Sequence, residues 1–266
     1  MIITSFVLVV ICFNFKPQQP KVTRKDIWRY KQLVKQFQNS SSQQLYDPKC
    51  QITYQCMQHC HVEEASRVHA QAMVRNHILR SIGMTSTEYL ADSKAMCQVT
   101  ADYGLGCVAK DINDRIVGIC TAYPLDVVSQ AYNPVQRDQR SREINYLWDA
   151  LDKAWKTVPW HQYADPKQIF YMDDISVLES ASGLGIGYLT AEFTNTLALR
   201  KGFTHNVGVI MNDIMLQDLE AKNGLTVVHS VDISQITKDG RKIFQDIIDE
   251  GTCCRLCLVK LKPSKL

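Results

Sequence analysis

The chain has 266 residues, 45% of them hydrophobic and 21% charged, with a formal net charge of +3. So small a charge excludes the basic footprint of a nucleic-acid binder, and so ordinary a composition excludes a disordered or low-complexity chain. No internal repeat recurs, which excludes a solenoid.

Met1 to Phe15, MIITSFVLVVICFNF, is an apolar run with no leading positive charge and no small-residue cleavage site. It falls short of the ~18–20 residues of a membrane-spanning helix. Lys16, Lys21, Arg24, Lys25, Arg29, Lys31 and Lys35 follow it, as on a cytoplasmic membrane flank. The favoured expectation is instead a loosely packed accessory extension on a cytoplasmic protein, with N-terminal membrane contact as the alternative. Ile27, Tyr30, Val34 and Phe37 recur at helical spacing, and Asn39-Ser-Ser-Ser-Gln-Gln44 reads as a linker. The expected division is an extension over residues 1–49 and one domain over residues 50–266.

From Gln51 onward, strand and helix patterns alternate. Ile52 to Met57 reads as a strand and His61 to Arg80 as a helix, with Val62, Ala65, Val68 and Ala72 on one face. Leu105 to Lys110 and Arg115 to Tyr123 are apolar strands around Asp111-Ile-Asn-Asp114, a hairpin signal. Glu143 to Lys156 carries Ile144, Leu147, Trp148, Leu151 and Trp155 at helical spacing. Gln168 to Val177 is a strand running into three alternating glycines, after which Ile186, Leu189, Phe193 and Leu197 form a helical stripe. Asn206 to Ile210 is a strand, Asp213 to Ala221 a helix stopping at Asn223-Gly224, and Leu225 to Val231 and Cys253 to Leu261 are closing strands. The expected class is mixed α/β (α+β), with helices on both faces of a largely antiparallel sheet.

Ten cysteines need an account. Cys56/Cys60/His61 and Cys253/Cys254/Cys257 invite a metal reading, but no pair of CxxC elements has zinc-like spacing. Cys107, Cys120 and Cys257 sit inside apolar runs as small core residues. The expectation is thiols in a reducing compartment and no metal site.

The stretch YMDDISVLESASGLGIGYLTAEF, Tyr171 to Phe193, carries the functional signal. A dinucleotide fingerprint needs G-x-G-x-x-G, yet the sixth position from Gly183 is Tyr188; a P-loop needs Gly-Lys-Ser/Thr, and no lysine lies between Gly183 and Thr190. A backbone cradle for phosphates remains, because glycines let N–H groups at a helix start face an anion. Gly183-Leu-Gly-Ile-Gly187 after Asp173-Asp-Ile-Ser-Val177 resembles the acetyl-CoA segment of the GNAT N-acetyltransferase family, Gln/Arg-x-x-Gly-x-Gly/Ala. Ser182 stands where the Gln or Arg is usual. The order of elements from Gln51 to Leu261 is similar to that family's. HILRSIGMTSTEY (from His77), LEAKNGL (from Leu219) and DGRKIFQDIIDEGTCCRLCLVKL (from Asp239) resemble segments of insect-type arylalkylamine N-acetyltransferases.

The resemblance implies a GNAT fold, acetyl-CoA as co-substrate and a small primary amine, an arylalkylamine, as acceptor. It implies that Gly183, Leu184, Gly185, Ile186 and Gly187 hold the cofactor phosphates, that Ile175 and Val177 offer backbone groups to its pantetheine arm, and that Asn212 touches it. Asp173 leads as the base for the amine proton, since many members carry an acidic residue there. By period two Tyr171 shares the strand face of Asp173, while Asp174 points the other way. His77, in the place of an insect-type catalytic glutamate, is the rival base. No tyrosine lies between Met211 and Asn223, where many members protonate the leaving thiolate. The runner-up functions are a non-catalytic acyl-CoA-binding module and a protein lysine or N-terminal acetyltransferase. The long Asp126 to Lys167 connection, read as a cover over the acceptor site, weighs against the latter.

Overall fold

A computed structural model describes residues 24–75, 79–80, 83–128, 142–210, 224–244 and 253–262. The apolar run at residues 1–15, His77, Asn212 and the helix expected at 213–221 lie outside the described residues. The strands are β1 (Gln44–Asp47), β2 (Ile52–Cys56), β3 (Cys107–Lys110), β4 (Ile116–Pro124), β5 (Ile169–Val177), β6 (His205–Ile210), β7 (Thr226–Asp232), β8 (Thr237–Lys238), β9 (Arg241–Lys242) and β10 (Cys253–Lys260). β8 and β9 form a small separate hairpin, and the others make one eight-stranded sheet in the order β1-β2-β3-β4-β5-β6-β10-β7. Every neighbouring pair in it is antiparallel except β5–β6, which is parallel. A parallel pair needs a crossover, here α5 (Ile186–Arg200).

The remaining helices are α1 (Arg24–Gln38), α2 (Val62–Met73), α3 (Ser86–Tyr103) and α4 (Arg142–Thr157). α5 and α1 stack on one face of the sheet, where Ile186, Leu189, Phe193 and Leu197 meet Tyr54, Ala109, Cys120, Met172 and Ile175. α2, α3 and α4 cover the other face, with Val68, Cys97, Leu147 and Leu151 over Ile119, Tyr123, Tyr171 and Val207. Both faces of the central strands are therefore covered, and every residue of β5 is buried, Asp173, Asp174 and Ser176 included. No described helix is long and apolar enough to cross a membrane.

Four expectations change. The helix expected to run from His61 to Arg80 ends at Met73. α3 was not anticipated, because its buried side includes Asp92, Ser93 and Thr100 and shows no apolar stripe. Its ends were nevertheless written in the sequence: Thr85 and Glu88 form a reciprocal capping box, and Gly104 closes the helix at φ +57°. Gln44 does not end a linker but begins β1. Finally, the extension is not loosely packed. Tyr30, Leu33, Val34 and Phe37 of α1 belong to the main core, and β1 pairs with β2 from Gln44↔Gln55 to Asp47↔Ile52. A boundary at 49/50 would cut between two hydrogen-bonded strands.

The cysteine groups considered as a metal site lie at the end of β2 and in the turn after it, and on β10, with β3, β4, β5 and β6 between β2 and β10. No described cysteine is in a disulfide, and burial pushes the Cys120 and Cys254 thiols up to about 12.

Candidate active site

The central parallel pair does not run its full length. β5 and β6 are bridged only at Ile169↔His205, Phe170↔Asn206 and Tyr171↔Val207. Beyond that point β6 stays with β10 as far as Ile210↔Arg255, while β5 stays with β4 as far as Gly118↔Val177. The two strands part after Tyr171 and leave a wedge-shaped slot. Asn206 Nδ2 donates to Asn195 Oδ1 of α5 (3.0 Å) and ties the crossover helix to its closed end. Along the β5 wall, Leu178 N–H donates to the Val117 carbonyl (2.9 Å). Alternation along an antiparallel ladder then turns the backbone N–H and C=O groups of Val177 and Ile175 away from β4 and toward the slot. The Val177 carbonyl already accepts from Arg75, just beyond α2 (2.6 Å).

At the point of divergence β5 carries a bulge. Thr121 pairs with Asp174 and Ala122 with Met172, so Asp173 is the extra residue. The bulge overturns the period-two expectation for this strand. Ile175 and Val177 pack on the α5 side, but Tyr171 packs on the other, edge-on to Tyr123 (5.6 Å) and Trp155 (4.7 Å). It is Asp174, bonded through its backbone to Thr121 Oγ1 (3.1 Å), that shares the Tyr171 face. Asp173 is buried near the closed end of the slot, two residues past the last β5–β6 bridge.

The glycine loop closes the far end. Gly183 and Gly185 take φ +81° and +78°, the left-handed region that a side chain resists. Gly118 of β4 lets α5 sit directly on the strand, since a Cβ there would lie 2.6 Å from Ile186 Cγ2. Leu189 N–H donates to Gly185 O (3.1 Å), and the backbone N–H groups of Ile186, Gly187 and Tyr188 find no acceptor among the described residues. A slot lined by backbone groups thus leads to a helix start with exposed donors. An extended arm ending in phosphates fits that arrangement. Among the described residues the sheet is split at its one parallel pair and joined there by a helix that opens on glycines, the arrangement that the solved structures named below share. The fold is that of the GNAT N-acetyltransferases.

Solved structures with this fold include a mosquito arylalkylamine N-acetyltransferase like 5b, at 16% identity and TM-score 0.61 over 79% of this chain and 100% of that one. Arylalkylamine N-acetyltransferase 2 from Aedes aegypti matches at 11% identity and TM-score 0.63, over 79% and 99%. A Drosophila melanogaster polyamine N-acetyltransferase, which forms N-acetylagmatine, matches at 12% and 0.56, over 79% and 99%. No family model matches the sequence, and no curated protein does.

On the α2 side of the GNAT sheet lies a pair that sequence reasoning missed. His69, in the middle of α2 and 0% exposed, places Nε2 3.2 Å from Oδ2 of Asp174, itself 4% exposed. Tyr89 of α3 packs edge-on to the imidazole at 5.8 Å. His69 Nδ1, Asp174 Oδ1 and Ser176 Oγ have no hydrogen-bond partner among the described residues. A histidine on the apolar face of α2 was the available signal, and it becomes meaningful only once Asp174 is seen to face it. Glu192 is a further buried acid, on the Asn195 side of α5 and one turn nearer the glycine loop. Burial pushes its carboxyl up to about 8.

Proposed function

We propose that the chain is an N-acetyltransferase that moves an acetyl group from acetyl-CoA to a primary amine, a small arylalkylamine. The observation that carries this reading is the slot between β5 and β6, which ends on the N–H groups that open α5. When bound, acetyl-CoA supplies an acetyl group activated as a thioester. The N–H groups at Gly183, Leu184, Gly185, Ile186 and Gly187 face its phosphates, and those of Ile175 and Val177 line its arm and polarise a carbonyl beside them. Asn212 is assigned to the same arm by resemblance alone. Asp173, at the bulge, takes the proton from the acceptor ammonium at its carboxylate, and Tyr171 stands two residues before it on β5. His77 is the rival for that proton. The N–C bond forms as the C–S bond breaks, and the electron pair leaves with sulfur.

Mixing the protein with acetyl-CoA and a panel of arylalkylamines, polyamines and lysine peptides tests the reading through release of free thiol. Turnover on an arylalkylamine supports it, and turnover on peptide alone redirects it to protein acetylation. CoA binding without thiol release on any amine would leave a binding module.

A further inference from the structure

The N-terminal helix reaches the glycine loop itself. Tyr30 of α1 is 4% exposed, and its Oη donates to the carbonyl of Leu184 (2.9 Å). Its ring lies where a side chain at Gly185 would start, 2.2 Å from the position of a Cβ built there. Tyr188, in the first turn of α5, meets the same ring at 5.8 Å. Tyr30 is in turn held from outside the loop. The Arg29 guanidinium lies 4.6 Å from the ring centre and donates to both oxygens of Asp47 (2.6 and 2.9 Å) at the end of β1. At the other end of α5, Arg200 donates to the carbonyls of Phe37 (2.7 Å) and Ser40 (2.7 Å), so α1 is tied alongside α5 at both ends.

The consequence follows from peptide geometry. In a planar trans peptide the C=O of one residue and the N–H of the next point in opposite directions. A hydroxyl that holds the Leu184 carbonyl toward α1 therefore turns the Gly185 N–H away from α1, to the open side of the loop. Gly183 and Gly185 are both in the left-handed region and lack side chains, so the Leu184 carbonyl is fixed mainly by this hydroxyl, with the Cys50 thiol as a longer second donor at 3.8 Å. Burial raises the phenol above its ordinary value and keeps the donor proton in place.

We infer that Tyr30 is a positioning residue for the cofactor-phosphate cradle, aiming the Gly185 N–H from the N-terminal helix. The inference rests on the acetyl-CoA reading above. It adds an element to that site which the glycine motif does not contain, and it makes residues 24–47 part of the binding machinery.

Tyr30→Phe tests it, since the ring packing stays and only the hydroxyl goes. Calorimetry with CoA should show Kd raised about fivefold, the worth of one net hydrogen bond, and the KM for acetyl-CoA should rise in step. The KM for the amine and the melting temperature should hold. S-acetyl-pantetheine, which carries the thioester arm without the pyrophosphate, separates a cradle effect from a general one: its KM should be the same in both proteins. Equal CoA affinity in Tyr30→Phe and wild type would overturn the inference and leave the acetyltransferase reading standing. So would a rise in the KM of S-acetyl-pantetheine and amine alike, since that marks loosened packing. Failure of the wild type to bind CoA at all removes the cofactor reading, and this inference with it.

Discussion

Asp173 owes its place to one inserted residue. Without the bulge, β5 would carry Asp174 to the face away from Tyr171, and the two acids would exchange positions. If Asp173 takes the amine proton, Asp173→Asn should cut turnover by ~10²-fold with CoA affinity unchanged, and raising the assay pH should restore part of the rate because more amine is already neutral. A larger loss in His77→Gln than in Asp173→Asn would transfer the role to His77. Asp174 is held from the other side by His69, and that contact is structural in the first instance. His69→Ala would leave a carboxyl at 4% exposure with neither oxygen bonded to a side chain, at a cost of ~3 kcal/mol in urea unfolding. A cost below ~1 kcal/mol would mean that water enters and replaces the imidazole.

At the scale of elements, the helix α1 decides what counts as the domain. Its Tyr30, Leu33, Val34 and Phe37 cover α5, and Phe37 stacks on Phe193 at 4.3 Å. Burying four such side chains is worth ~1.5–3 kcal/mol each, a sum comparable with the ~5–15 kcal/mol that holds a domain together. A chain beginning at Pro48 would also lose β1 and lay bare the β2 edge. Such a chain should aggregate or melt far below the full-length protein. A soluble, cooperatively melting protein from Pro48 onward would show that α1 is dispensable. Of the basic residues that first suggested a membrane flank, Arg29 is taken up by Asp47, and the acidic Asp26 of α1 is paired with Lys49.

For the molecule as a whole, pH sensitivity should come from inside α5. The Glu192 carboxyl is raised by burial from 4.5 to about 8, so the folded chain holds a proton there that the unfolded chain has released. Stability from this group is full below about 4.5 and is lost as pH rises toward 8, at a slope of at most about 1.4 kcal/mol per pH unit. Unfolding followed from pH 5 to 8 should show that decline, and Glu192→Gln should flatten it; an unchanged slope in the variant would place its source elsewhere. Much of the architecture was legible in the chain beforehand. The long strands of the sheet, the stripe of α5 and the glycine loop are local patterns, and residues a few positions apart carry them without help from the rest of the protein; the short β1, β8 and β9 were not read. That β5 and β6 part after Tyr171, that Asp173 is a bulge, that His69 meets Asp174 across 105 positions and that Tyr30 reaches Leu184 across 154 were not legible. Such contacts join residues far apart in sequence, and no periodicity records them. The sequence by itself determined most of the strands, the stripe of α5 and the glycine loop that opens it. Only the tertiary structure decided which side chains close around that place, because burial against a distant element is a property of packing and not of spacing.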